Sequence, residues 1–160
     1  MQSKLAGLHK YLIDSLKPFV HKKKIFASQA GGELIGNGEQ RGNGGVIIAN
    51  WRYDAAILVE DFPLKKCSSM TLLALVSCWL SEFDADRTEN EDLNDPDIEV
   101  DVTSEESADV FIKLAFEEPL EIVPDPKGPI VFEGERYRVD VTEVWVANDS
   151  EISNATDDNA

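Results

Sequence analysis

A chain of 160 residues with 42% apolar content is sized for one domain around a single core, two very small domains being the weaker alternative. A formal net charge of -16 argues against a nucleic-acid-binding surface, because counterion release on a polyanion rewards lysine and arginine. No run reaches the roughly 18 apolar residues of a membrane-spanning helix, and the amphipathic "MQSKLAGLHKYLIDSL" is not a secretory core, so neither a membrane partner nor a leader is expected.

Charge is unevenly spread. Lys4, Lys10, Lys17, Lys22, Lys23 and Lys24 against Asp14 make residues 1–24 net +5, which leaves -21 for the remainder. Such a basic element either docks on an acidic surface, in its own chain or a neighbour, or presents a solvated face. The same segment is the first predicted helix, residues 3–17. Leu5, Leu8, Leu12 and Leu16 recur at three- and four-residue spacing, Ser3 is a candidate N-cap, and Pro18 disfavours helical geometry at Lys17.

A short strand is expected over residues 25–29. Next comes "GGELIGNGEQRGNGG", residues 31–45, whose seven glycines suggest a flexible loop or a long hairpin tip. It lacks Gly-Lys-Ser/Thr and leads into a strand, so it is no phosphate cradle. Residues 46–49 and 51–62 read as extended. In the second stretch Tyr53, Ala55, Ile57 and Val59 alternate with Asp54, Ala56, Leu58 and Glu60, a pattern that suits a central strand covered on both faces.

Residues 69–83 form the second predicted helix, capped by Ser68 or Ser69. Leu72, Leu75, Val76, Trp79, Leu80 and Phe83 make a broad core stripe, which Met70 and Leu73 widen. The opposite side carries Ala74, Ser77, Cys78 and Ser81, small residues where a surface helix would place Lys and Glu. This helix is therefore expected to be covered on both sides, with another subunit as a candidate second cover. Tyr53, Phe62, Leu72, Val76, Trp79 and Leu80 are the expected core.

An acidic loop, residues 84–97, precedes a half-buried strand in which Ile98, Val100 and Val102 alternate with Asp97, Glu99 and Asp101. A further strand carries Val110, Ile112, Leu114 and Phe116. Pro119, Pro124, Pro126 and Pro129 then break the pattern. Residues 130–132 and 136–141 flank Gly134 as a hairpin, residues 144–146 finish the ordered part, and residues 149–160 read as a disordered acidic tail. The expected organisation is one domain over 1–148 followed by that tail. The fold class is α+β: a mostly antiparallel or mixed sheet packed by the N-terminal helix and one central apolar helix.

Chemistry-bearing patterns are few. Residues 84–95 space their oxygen side chains like a calcium loop. However, Glu89 stands where the sharp turn needs glycine, Asp95 replaces the bidentate Glu, and Pro96 and a strand follow. His9 and His21 have no partners at metal-ligand spacing, and no Gly-x-Ser-x-Gly elbow exists. Cys67 and Cys78 do not form Cys-x-x-Cys, and Cys78 is expected to be buried and reduced. No catalytic residue, metal site or cofactor is expected. Arg52, Arg136 and Arg138, near Trp51 and Tyr137, are either interface anchors or ordinary surface charges. The candidate interface set is Ala74, Ser77, Ser81, Arg52, Arg136, Tyr137 and Arg138.

Taken together, several stretches resemble a known family. A leucine helix leads to a Tyr-containing strand ending in Val-x-Asp-Phe, here Tyr53 to Phe62. Leu73, Val76, Trp79 and Leu80 follow on a helix, and after an acidic turn comes Asp109-Val-Phe-Ile-Lys-Leu. Over roughly residues 3–118 this resembles the tail completion protein R family of contractile-tailed temperate phages, a tail-terminator-like family, although the glycine loop is longer than that family suggests. The resemblance implies a non-enzymatic virion protein assembled in the host cytoplasm. It implies a ring, expected to be hexameric, on the head-proximal end of the tail. The implied partners are further copies of the chain, tail tube and sheath proteins, and neck proteins, with DNA only passing through the lumen. Another small neck, baseplate or secretion-machine adaptor is the alternative.

Overall fold

The computed structural model describes residues 2–36, 40–41 and 44–140. The expected strand at residues 144–146 and the acidic tail lie outside these. The described residues form an α+β fold whose sheet is antiparallel at every described pairing.

Helix α1 spans Lys4–Leu16, and the Ser3 side chain accepts a hydrogen bond from the Ala6 N–H as its cap. Leu5, Leu8, Leu12 and Leu16 are all buried. A 3₁₀ turn, Lys22–Lys24, leads into β1, Ile25–Ile35. This strand continues well past the expected end at residue 29. Gly31 sits at a bulge with φ 143°, and an added Cβ on Gly32 would lie 1.9 Å from the Arg52 carbonyl oxygen. The first glycines of the supposed loop therefore let β1 lie against its neighbour. The two-residue β2, Gln40–Arg41, then pairs with Ile47 and Val46.

Strands β3, Val46–Pro63, and β5, Ser107–Pro124, are each 18 residues long and pair along nearly their whole length. β3 is one strand where the sequence suggested two. A register shift between Ile47 and Ala49 absorbs the irregularity. β5 also runs through Pro119. There its outer edge lies between the partners of β4, which end at Lys113, and those of β7, which begin at Ile122, so no described ladder bond needs the missing N–H. Strand β4, Asp97–Val102, pairs with one half of β5. The hairpin of β6, Ile130–Phe132, and β7, Glu135–Val139, pairs with the other. Its turn, Glu133–Gly134, has positive φ at both residues, the conformation of a two-residue hairpin.

Helix α2, Ser69–Phe83, is capped by Ser68, which accepts from the Met70 N–H. Both helices pack on one face of the sheet, over Tyr53, Ala55, Ile57 and Val59 of β3 and Val110, Ile112, Leu114 and Phe116 of β5. Tyr53, Phe62, Leu72, Val76, Trp79 and Leu80 all lie in this core. The expectation of cover on both faces of β3 fails among the described residues. The other face carries a thin apolar row, Phe26–Leu58–Phe111, of half-buried or exposed side chains, and Asp54 is exposed.

Candidate assembly interface

The acidic segment after α2 is held by a polar knot. Lys4 Nζ donates to Asp84 Oδ1 at 2.6 Å and to the Glu117 carbonyl at 3.0 Å. Arg87 Nη1 donates to Asp84 Oδ2 at 2.7 Å, and Nη2 to the Asn94 carbonyl at 3.0 Å. The Arg87 guanidinium also lies 5.9 Å from the centre of the Phe116 ring. Asp84 and Arg87 are both buried, so the segment is not the fully solvated loop its composition suggests. The carboxylate at the first position of the calcium-loop reading is engaged by two cations. Beside the knot, the Tyr53 hydroxyl donates to Glu118 and accepts from the Leu5 N–H, while Glu118 also accepts from the Lys4 N–H. Burial, then the charge of Glu118 and its hydrogen bond, push the Tyr53 phenol far above its ordinary value.

Arg52 is held within the chain. It pairs with Glu117 at 3.0 Å, Asp92 at 3.1 Å and Glu33 at 3.5 Å. Glu117 also accepts from Asn50 and Asn90. Burial alone would raise the Glu117 carboxyl. The three donors and the Arg52 charge outweigh it and hold the group below its ordinary value. Arg136 Nη1 donates to the Gly128 carbonyl, Arg138 lies 3.9 Å from Asp125, and the Tyr137 ring meets the edge of Phe132. These three residues sit on β7, at the far end of β5 from α2, and so do not join the helix residues of the candidate set in one patch.

The other side of α2 is open. Ala74, Ser77, Cys78 and Ser81 are exposed, as are Met70 and Phe83. Cys78, expected to be inside, is outside, and Cys67 is the buried cysteine. Ser77 and Ser81, with Leu73 and Leu80, line a groove of about 810 Å³ whose far wall is the acidic segment and Ile98 of β4.

β4 is exposed throughout rather than half-buried. Its register explains why this matters. Ile25, Val59 and Val110 form a row beneath the helices, and Val100 is its fourth member; Ala27, Ile57 and Ile112 form another, which Ile98 continues. The first three side chains of each row are buried, whereas Val100 is 47% and Ile98 37% exposed. The core pattern thus runs one strand farther than its helical cover.

Among the described residues no helix is long and apolar enough to cross a membrane, and no three His, Cys, Asp or Glu side chains are grouped to hold a metal ion.

Comparison with known proteins gives those surfaces a setting. The family model described as "P2 phage tail completion protein R (GpR)" matches residues 2–141. The chain belongs to this family. A curated relative from Haemophilus phage HP1 (strain HP1c1), described as an uncharacterized 19.2 kDa protein in the rep-hol intergenic region, is 26% identical over 121 residues. The alignment covers 76% of this chain and 72% of the relative. No solved structure gives a significant match. Membership implies a structural role in the phage tail, and hence a place in the virion.

Sequence reasoning missed Lys4, Asp84, Arg87 and Glu117. One signal was available for Lys4. It occupies the first position of α1, where a cation opposes the helix dipole, so a tertiary anion was to be expected nearby.

Proposed function

We propose that the protein is a terminator ring on the head-proximal end of the phage tail, which stops tube and sheath growth and offers a surface to the neck. The family match over residues 2–141 carries this reading. The exposed apolar members of β4 and the small-residue side of α2 support it, because such surfaces are economical only when another chain covers them. The mechanism is geometric. One ring face fits the last tube ring, and the other lacks what recruits a further tube subunit. Copies of this chain, tube and sheath proteins, and neck proteins are the partners, and six copies is the expected ring order. Acidic residues facing a lumen would repel DNA and let it slide. Assembly takes place in the host cytoplasm. On the same reading, residues 1–148 form the ring-building domain, and the acidic residues 149–160 follow it.

The test is imaging of gold-labelled protein on purified tails. Label at the head-proximal end only, together with tails of irregular length and unattached heads when the protein is withheld, is expected. Label at the baseplate would replace this reading with that of an adaptor.

A further inference from the structure

The uncovered rows of β4 raise the question of what completes them. The strand order β1-β3-β5-β4 puts β1 and β4 on opposite edges of the sheet. Each pairing is antiparallel, so β1 and β4 run in opposite directions. If a second copy continues the sheet past β4 in the same orientation, the strand it presents is β1, and that junction is itself antiparallel.

The two edges differ in charge. β4 and the turn after it carry Asp97, Glu99, Asp101, Glu105 and Glu106, all exposed. The approach to β1 carries Lys22, Lys23 and Lys24. Lys24 is spent on Asp61 at 3.0 Å, but Lys22 and Lys23 are exposed and have no ion pair among the described residues. Phe19, just before them, is 43% exposed.

We infer that the β1 edge of one copy, with its Phe19–Lys23 corner, docks on the β4 edge of the next, building a head-to-tail assembly. This rests on the terminator reading and names the contact that would close its ring.

The register follows from side-chain parity. With Ile25 opposite Val102, Ala27 meets Val100 and Gln29 meets Ile98, so the buried rows of one copy run into the exposed rows of the other. The same register brings the turn with Lys22 and Lys23 to the end of β4 where Glu105 and Glu106 lie. Phe19, just before this turn, lies at the same end of the junction, level with the exposed Val102. The Ile25 carbonyl is already bonded to His9 Nε2 at 2.9 Å, and the Ile25 N–H to the Lys22 carbonyl. The outward-facing rungs left for a partner are then those of Ala27 and Gln29. A short, partly capped edge with lysines beside it resists unspecific pairing and still accepts an acidic partner strand.

The experiment uses the full chain with Cys78→Ser as background, free and on purified tails. Ser28→Cys with Glu99→Cys places two thiols opposite each other on the open face of the junction. Mild oxidation is expected to give a ladder of linked multimers, and neither single cysteine should do so. Lys22→Glu/Lys23→Glu and Glu105→Lys/Glu106→Lys are each expected to weaken assembly about tenfold. Mixing the two variants should restore it, and high salt should weaken the wild type. No ladder on free or tail-bound chain, or charge reversals without effect, overturns the inference. Tails still capped in that case would leave the terminator reading standing. A ladder from protein that never reaches tails would sink the terminator reading alone.

Discussion

Lys4 and Asp84, 80 positions apart in sequence, form an ion pair of 2.6 Å whose carboxylate side chain is 1% exposed. Arg87 holds the other oxygen of the same carboxylate at 2.7 Å. Asp84→Ala would strand two cations, one of them with a side chain only 7% exposed. It is expected to cost about 3–5 kcal/mol. Lys4→Met leaves Arg87 in place and should cost about 1–2 kcal/mol. Urea denaturation reads both, and an Asp84→Ala midpoint equal to wild type would show that the knot carries no stability.

Trp79 stands at the centre of the helix–sheet contact. Its ring meets Phe116 edge-on at 6.2 Å and Phe83 at 5.5 Å, and its Cζ2 would lie 3.1 Å from a Cβ on Gly7 of α1. Trp79→Ala is expected to destabilise by about 3–5 kcal/mol through the cavity it leaves. Exposed Ala74, four residues away from Met70 and Cys78 on the open side, serves as the control, and Ala74→Ser should stay within about 0.5 kcal/mol. Equal thermal midpoints for the two variants would contradict this packing.

Glu117 links folding to acid. Its carboxyl lies lower in the folded chain than its ordinary value of 4.5. A group of that kind adds stability above its unfolded value and loses it as the pH falls through the folded one. The stability advantage of wild type over Glu117→Gln should therefore be full at pH 7 and shrink on acidification below about 4.5. Urea midpoints of both proteins at pH 7 and pH 3 test this, and a gap of constant size would refute it.

Gly32 is where β1 comes closest to β3. A Cβ there meets backbone at 1.9 Å, while one on Gly36 meets nothing within 4 Å. Gly32→Ala is expected to cost about 1–3 kcal/mol, because neither strand can move aside cheaply, and Gly36→Ala to cost nothing measurable. Hydrogen exchange should show the loss as faster exchange along residues 31–35. Unchanged protection there would mean that the two strands are less tightly apposed.

Much of the architecture was legible because side-chain period and burial agree. The leucines of α1, the caps Ser3 and Ser68, and the alternation Val110–Ile112–Leu114–Phe116 each state one element and one face. The errors share a cause. β1, the join in β3, the passage through Pro119 and the exposure of β4 all depend on which strand lies alongside, which residue types alone do not encode. Ile98, Val100 and Val102 have the pattern of a half-buried strand, yet they lie one strand beyond the helices. The small side of α2 was readable as unusual. Arg52 was not readable as engaged, because Glu33, Asp92 and Glu117 come from three separate stretches.

The bond from the Lys4 N–H to Glu118 spans 114 positions. During synthesis on the ribosome, the opening turn of α1 must therefore wait for this acceptor until residue 118 has left the exit tunnel. Until then α1 has neither its anchor nor the strand beneath it, and its leucine stripe is a hazard for any neighbouring nascent chain. A truncated product ending before β5 would keep the basic helix and lose its seat, so such fragments should be sticky rather than merely incomplete.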